Sequence, residues 1–272
     1  MRYAILGGDL RFAHLARMLQ ESGREVAGFL QETAGGEALP LAELERYDCI
    51  ISNWPMRWPL SKQQVDETMI MENIAPGSVL LLCGPKFPRE CRWDLQYINL
   101  WEDEALLQEN AWLTAEAAVG SAMARLQTPF AGMRCMVVGY GRIGRALTEI
   151  LVNLHARVTV MTGKQSKRSL AAQSGAEAAL IGDLPGMLPG QKLIFSTPPA
   201  MVIDRDALAQ VDGDALIIDL ASPPYGVNLE AAREMGLHAI REPGLPGRWC
   251  PLSAARAIYN AVIRWEEEEN HD

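Results

Sequence analysis

Residues 134–144 read Arg-Cys-Met-Val-Val-Gly-Tyr-Gly-Arg-Ile-Gly, a short apolar run that enters a G-x-G-x-x-G and leads straight into a helical pattern. No other stretch restricts the fold so tightly. Gly139 permits the tight turn out of the strand, Gly141 lets backbone approach a pyrophosphate with no Cβ in the way, and Gly144 lets the helix pack closely on the sheet. The unpaired N–H groups at the helix start, reinforced by its dipole, make an anion site before any side chain is counted. The glycine spacing alone is a weak signal; the strand before it and the helix after it make it a dinucleotide fingerprint. The candidate cofactor loop is therefore Gly139, Tyr140, Gly141, Arg142, Ile143 and Gly144, with Arg142 in position to touch the pyrophosphate.

From Arg134 onward strands alternate with helices: strands at 134–139, 157–161, 178–181, 192–196, 215–219 and 237–240, with helices at 142–154 and 166–174 between the early ones. Such alternation implies right-handed crossovers and a parallel, doubly wound sheet whose ligands lie at the carboxyl ends of the strands. Thr197-Pro198-Pro199, Ala221-Ser222-Pro223-Pro224 and Pro243-Gly244-Leu245-Pro246-Gly247 each follow a strand and are expected together on that face. The first half opens in the same manner, with a strand into Gly7-Gly8-Asp9, an amphipathic helix through Leu15 and Leu19, and a second strand at 25–30. Asp9 stands where a phosphate-binding loop avoids negative charge, so this half is not expected to hold the dinucleotide. Further strands are predicted at Cys49–Ser52 and Ser78–Cys83, with a helix over 62–73. Good helix formers over 102–108 and 114–126 precede Thr128-Pro129 and form a bridge.

The fold class expected is α/β: two doubly wound parallel-sheet, Rossmann-like domains joined by a long helix. Their predicted extents are 1–110 for a substrate-side domain, 111–128 for the linking helix and 129–252 for the NAD(P)-binding domain, with a final helix over 253–268 returning to the first. A chain of 272 residues at 49% hydrophobic content suits two such domains. Net charge of −9 argues against nucleic-acid or anionic-membrane partners, which need a basic face. No apolar run nears the roughly 18 residues needed to span a bilayer, and Met1 leads directly into a strand rather than a signal peptide, so a cytoplasmic protein is expected. The five cysteines lack a C-x-x-C pair and read as reduced residues, with neither metal nor disulfide.

In an NAD site a carboxylate about 20 residues past the first glycine binds the adenosine ribose hydroxyls. Here that position holds Thr162-Gly163-Lys164, followed by Ser166, Lys167 and Arg168, with no Asp or Glu. A hydroxyl and three cations suit a 2′-phosphate, so NADP is favoured and NAD remains possible. The alternative is a plain solvated basic turn.

The combination of Gly7-Gly8-Asp9 with Arg11, the bridge from Asn110 to Glu116, Gly139–Gly144, Asp219-Leu-Ala-Ser222 and Pro243–Gly247 resembles the A subunits of dipicolinate synthase from spore-forming bacteria. That resemblance implies oxidation of dihydrodipicolinate to dipicolinate during sporulation, a small dicarboxylate substrate and, as partner, a flavoprotein-like B subunit. A homo-oligomer is also expected. The chain departs from the family at Pro223-Pro224-Tyr225-Gly226, where Arg-Pro-Gly-Gly is expected, and at Pro251-Leu252-Ser253-Ala254, where Pro-Lys-Thr-Ala is expected, so two positive charges are missing.

For such a reaction the protein orients a ring and neutralises two carboxylates. Arg11, on the first glycine turn and facing an interdomain cleft if the sheets are so arranged, is the candidate clamp; a surface arginine is the alternative. Ser222 and the N–H groups around Gly244 and Gly247 are candidates for a second carboxylate or the nicotinamide amide, against simple turn chemistry. Glu116, among Ala115, Ala117, Ala118 and Val119, is the candidate proton acceptor if partial burial raises its pKa; a helix salt bridge is the alternative. Asn53, Trp54, Arg57 and Trp58 occupy a strand-end loop that suits ring stacking and carboxylate pairing. A 2-hydroxyacid dehydrogenase would need a histidine over the nicotinamide, and His14, His155, His238 and His271 do not fall on such loops. A folate-type dehydrogenase would share the Pro-Gly-x-Pro-Gly character of 243–247 but would need a catalytic lysine in the first domain, where this chain offers no plausible one. A non-catalytic NADP-binding regulatory or assembly protein remains the reading from a different class.

Overall fold

A computed structural model of the chain describes residues 1–29, 40–53, 67–84, 86–89 and 91–269. Its strands are β1 Arg2–Leu6, β2 Glu25–Phe29, β3 Cys49–Ser52, β4 Val79–Leu82, β5 Gln96–Asn99, β6 Arg134–Val138, β7 Arg157–Thr162, β8 Glu177–Leu180, β9 Leu193–Ser196, β10 Leu216–Asp219 and β11 His238–Arg241. Its α-helices are α1 Leu10–Glu21, α2 Glu67–Glu72, α3 Glu104–Leu126, α4 Arg142–Asn153, α5 Gln165–Gln173, α6 Leu184–Met187, α7 Arg205–Leu208, α8 Leu229–Glu234, α9 Leu245–Trp249 and α10 Pro251–Glu269. The chain divides into two compact units, Met1–Asn110 with Pro246–Asp272, and Ala111–Leu245.

The first unit is a parallel sheet in the order β2-β1-β3-β4-β5. Its central strands are buried on both sides, which is why they read as apolar runs rather than alternating patterns. Tyr3, Ile5, Ile51 and Leu81 pack with Phe12, Leu15 and Leu19 of α1 and with Ala255, Ile258, Val262 and Trp265 of α10. Ala4, Leu6, Ile50, Leu80 and Leu82 pack on the opposite side with Phe29, Leu44 and Ile70. The last helix, expected to return to the first half, thus closes one face of this sheet. It is further tied by Glu266, which accepts from Tyr3 and pairs with Arg24.

The second unit is a six-stranded parallel sheet in the order β11-β10-β9-β6-β7-β8. Cys135 and Val137 face Ala146, Leu147 and Leu151 of α4 together with Ala115, Ala118 and Ala122 of α3. Met136 and Val138 face Leu184, Leu188, Leu208 and Ala231. Burial pushes the Cys83 and Cys135 thiols up to about 12 and raises Cys49 as well, which leaves these three as unreactive packing groups.

Most predicted elements coincide with observed ones to within a residue or two. The bridge is one continuous helix, α3, since residues 109–113 carry no Gly or Pro to interrupt it. Strand β5 escapes sequence reading: Gln96-Tyr-Ile-Asn99 is a half-exposed edge strand without clean alternation. Pro243–Gly247 is only partly a loop, since Leu245 onward forms α9. Part of the helix predicted over 62–73, and Leu30 of the second strand, lie outside the described residues.

Candidate active site

In the second unit the chain runs from β6 through α4 to β7, which pairs with one edge of β6, while β9 pairs with the other edge, so the crevice at the carboxyl ends of β6 and β9 is the switch point of the topology. Gly139 follows β6 with φ of +94°, and its N–H donates to the Met161 carbonyl at 2.8 Å. Thr197 follows β9 and bonds Val138 O through both its N–H and its hydroxyl, each at 3.0 Å. A Cβ on Gly139 would collide with Thr197 Oγ1, and a Cβ on Gly144 would collide with the Gly139 carbonyl oxygen. Gly141 differs: a Cβ there would meet nothing within 4 Å. Its freedom from a side chain serves no internal contact, and it is the N-cap of α4 with no side-chain cap bond.

The two glycine turns are thereby opposites. At the start of α1, Asp9 accepts from the Arg11 N–H, so a carboxylate of the chain itself answers the helix end. At the start of α4 the N-cap has no side chain, and the first turn contains no acidic residue. The second turn therefore leaves an open approach at Gly141 with the first N–H groups of α4 behind it, an arrangement suited to an anion, whereas the first turn does not. Arg142 is exposed and Ile143 half-buried beside them, whereas the Tyr140 ring is buried in the unit's core and its hydroxyl meets Ser174 Oγ at 3.5 Å. Only the main chain of Tyr140 is open to a ligand.

At the end of β7, Thr162 is buried and its Oγ1 accepts from the Lys164 N–H at 3.5 Å. Lys164 caps α5 without a side-chain bond, Lys164 and Ser166 are exposed, and Lys167 and Arg168 are half-buried. No acidic residue occupies the first turn of α5. The charge pattern read from the sequence is thus displayed at the β7 end.

The loop after β10 is organised by a network the sequence reading missed. Asp219 is fully buried, and its carboxylate accepts from the N–H groups of Ala221 at 3.2 Å and Gly226 at 3.3 Å and from Arg241 Nε at 3.1 Å. Arg241 also donates to the Val227 carbonyl and lies 3.6 Å over the Tyr225 ring. The only sequence signal was an Asp and an Arg at the ends of two strands that the topology makes neighbours. Ala221 is buried with its N–H spent on Asp219, while Ser222 is exposed and its carbonyl accepts from the Tyr225 N–H at 2.9 Å. Pro198 is half-buried; Gly244 is exposed with φ of +64°.

One premise for a catalytic group is corrected. Glu116 is exposed, not partly buried. Its apolar sequence neighbours point elsewhere because successive helical residues are about 100° apart, and Trp112 and Gly120, which share its face at i−4 and i+4, are only half-buried. Gly247 lies in the first turn of α9 and packs against the Asp9–Arg11 pair: a Cβ on it would stand 2.6 Å from Asp9 Oδ2 and 3.0 Å from Arg11 Nε. Arg11 itself grips Asp9 through Nε at 2.8 Å and Nη2 at 2.9 Å, with its side chain 14% exposed. Asn53 is half-buried just past β3; Trp54, Arg57 and Trp58 lie outside the described residues. Among the described residues no cluster of three or more His, Cys, Asp or Glu is arranged to hold a metal, and no helix is long and apolar enough to cross a membrane.

Two parallel sheets of this kind, with a glycine loop at the switch point of the second, define a Rossmann-like α/β protein whose fold is shared with dehydrogenases. Transhydrogenase from Sinorhizobium meliloti superposes with a TM-score of 0.72, covering 98% of this chain and 94% of that one at 14% identity. D-lactate dehydrogenase from Escherichia coli gives 0.64 over 100% and 98% at 14% identity. More specifically, the chain is a homologue, over nearly its full length, of the dipicolinate synthase A subunits: it is 25% identical to that protein of Bacillus subtilis (strain 168) over 284 residues, 97% of this chain and 95% of the relative. The crystal structure of the dipicolinate synthase A polypeptide from Bacillus subtilis matches with a TM-score of 0.82, covering 100% and 98% at 20% identity. No protein-family model matches the chain.

Proposed function

We propose that the protein is the A subunit of a dipicolinate synthase, which oxidises dihydrodipicolinate to dipicolinate with NADP as hydride acceptor. The observation that carries this reading is the side-chain-free start of α4 at the β6/β9 switch point, in a chain homologous to such subunits from end to end. The chemistry supplied by the bound cofactor is acceptance of one hydride; one proton leaves the ring as it becomes aromatic, and aromatisation drives the step.

The chain's own residues then bind and orient. Gly139–Gly144 and the α4 N–H groups hold the pyrophosphate, and Thr162, Lys164, Ser166 and Arg168 surround the adenosine ribose with positive charge suited to a 2′-phosphate. Thr197, Pro198 and Ala221 border the nicotinamide end, and Gly244 and Ser222 offer polar groups beside them. Arg11 receives a carboxylate. With Glu116 exposed to water, the ring proton is assigned to solvent.

The test is dipicolinate formation followed by ultraviolet absorbance, with dihydrodipicolinate generated in place by its upstream synthase and NADP or NAD supplied, with and without the B subunit. Product with NADP in preference to NAD is the expected result. NADP binding with no product in any combination would make the chain a non-catalytic binding protein instead.

A further inference from the structure

Asp9 sits at the switch point of the first unit, where β1 and β3 lie side by side and the chain departs to opposite sides of the sheet. Gly7 and Gly8, with φ of +64° and +92°, turn the backbone so that Asp9 becomes the N-cap of α1. Its carboxylate accepts from the Arg11 N–H at 3.1 Å and from the Arg11 guanidinium through Nε and Nη2. Capping requires only one acceptor oxygen; both oxygens are used on the guanidinium. The carboxylate is 47% exposed, whereas the arginine it holds is 14% exposed, so the buried partner is the cation. Gly247 backs the pair closely enough that any side chain there would displace it.

We infer that Asp9 is a positioning residue: it holds the Nε and Nη2 edge of Arg11 so that the Nη1 edge, which takes no part in the pair, is presented in one orientation to a substrate carboxylate. A flexible arginine would lose side-chain entropy on each binding event, and a planar guanidinium fixed on one edge loses less. This inference rests on the reading of Arg11 as a carboxylate clamp.

Asp9→Asn separates the two roles, because asparagine still caps a helix through its side-chain oxygen but offers an N–H where Arg11 needs an acceptor. With the full-length protein, the KM for dihydrodipicolinate should rise about tenfold as the guanidinium loses its fixed orientation, while kcat and the NADP dissociation constant stay within about twofold. In an Arg11→Ala background the same substitution should change KM no further, since Asp9 acts only through Arg11. Gly247→Ala, pressing on the pair from the other side, should also raise KM. An Asp9→Asn KM that is unchanged or lower, or a rise of equal size in both backgrounds, overturns the positioning role and leaves the clamp standing. A wild-type protein that neither turns over dihydrodipicolinate nor binds dipicolinate overturns the substrate reading and the inference with it.

Discussion

Gly141 and Gly144 are both glycines of one motif, yet they are glycine for different reasons, and substitution should separate them. A methyl group on Gly144 would enter the Gly139 carbonyl, so Gly144→Ala should cost about 2 kcal/mol or more of stability by overpacking the strand–helix joint. Gly141→Ala meets open space, so its thermal unfolding should match the wild type while NADP affinity falls about tenfold or more, the methyl standing where the pyrophosphate must approach. Thermal scans and titration calorimetry on the two variants check both. Lys164 and Arg168 belong to the same scale. Changing both to alanine should lower NADP affinity by about tenfold or more and leave NAD affinity nearly unchanged, because only NADP carries the 2′-phosphate. Equal loss for both cofactors would return these residues to a solvated basic turn.

Helix α3 shows how an element is fixed by its ends. Asp103 precedes it and accepts from the Leu106 N–H at 2.8 Å and from Arg264 Nε of α10 at 2.9 Å. Burial pushes its carboxyl up, but the Leu106 and Arg264 hydrogen bonds outweigh this and leave the group below the usual aspartate range. Because the folded value is depressed, the stabilisation is present above the unfolded value and is lost as pH falls through the folded one, a window below about pH 4. Asp103→Ala should therefore destabilise the protein by about 1–2 kcal/mol near neutral pH, with the difference from wild type shrinking in acid; urea unfolding across pH measures it. The β10 loop is a second case of an element held by one buried group. Asp219, with two N–H donors and Arg241, explains why residues 221–226 hold a definite shape although four of them are exposed or half-buried.

At the scale of the whole chain, the first unit is assembled from sequence segments more than a hundred residues apart. Ala255, Ile258, Val262 and Trp265 of α10 complete the core begun by Tyr3, Ile5, Phe12 and Leu15. A polypeptide ending at Leu245 should therefore fail to fold its first unit, whereas a fragment of residues 111–245 keeps its own sheet and both of its cores. That fragment should unfold cooperatively and bind NADP; circular dichroism and calorimetry on it give the check, and a molten fragment would mean that the second unit depends on the first.

Much of the fold was legible because its signals are local. Apolar runs bounded by turn residues fix β1, β3, β4, β6 and β9, and a strand, three spaced glycines and a helix fix the turn between β6 and α4, since each of those roles is met within a dozen residues. β5 was not legible, because a half-exposed edge strand lacks the burial that creates a pattern. Neither was the exposure of Glu116, which depends on what packs against each face of α3. Asp219 with Arg241, and Asp9 with Gly247, were hidden for a further reason: their partners lie 22 and 238 positions away in sequence, and only the order of strands and the return of the chain after Leu245 bring them together. Two α/β halves and a glycine turn opening into a helix follow from the order of residues alone, because backbone freedom and hydrophobic period are local properties. Tertiary structure alone decided which carboxylates are exposed, which arginine is held, and how the last helix completes the first sheet, because burial and ion pairing are properties of neighbours that the chain acquires only by folding.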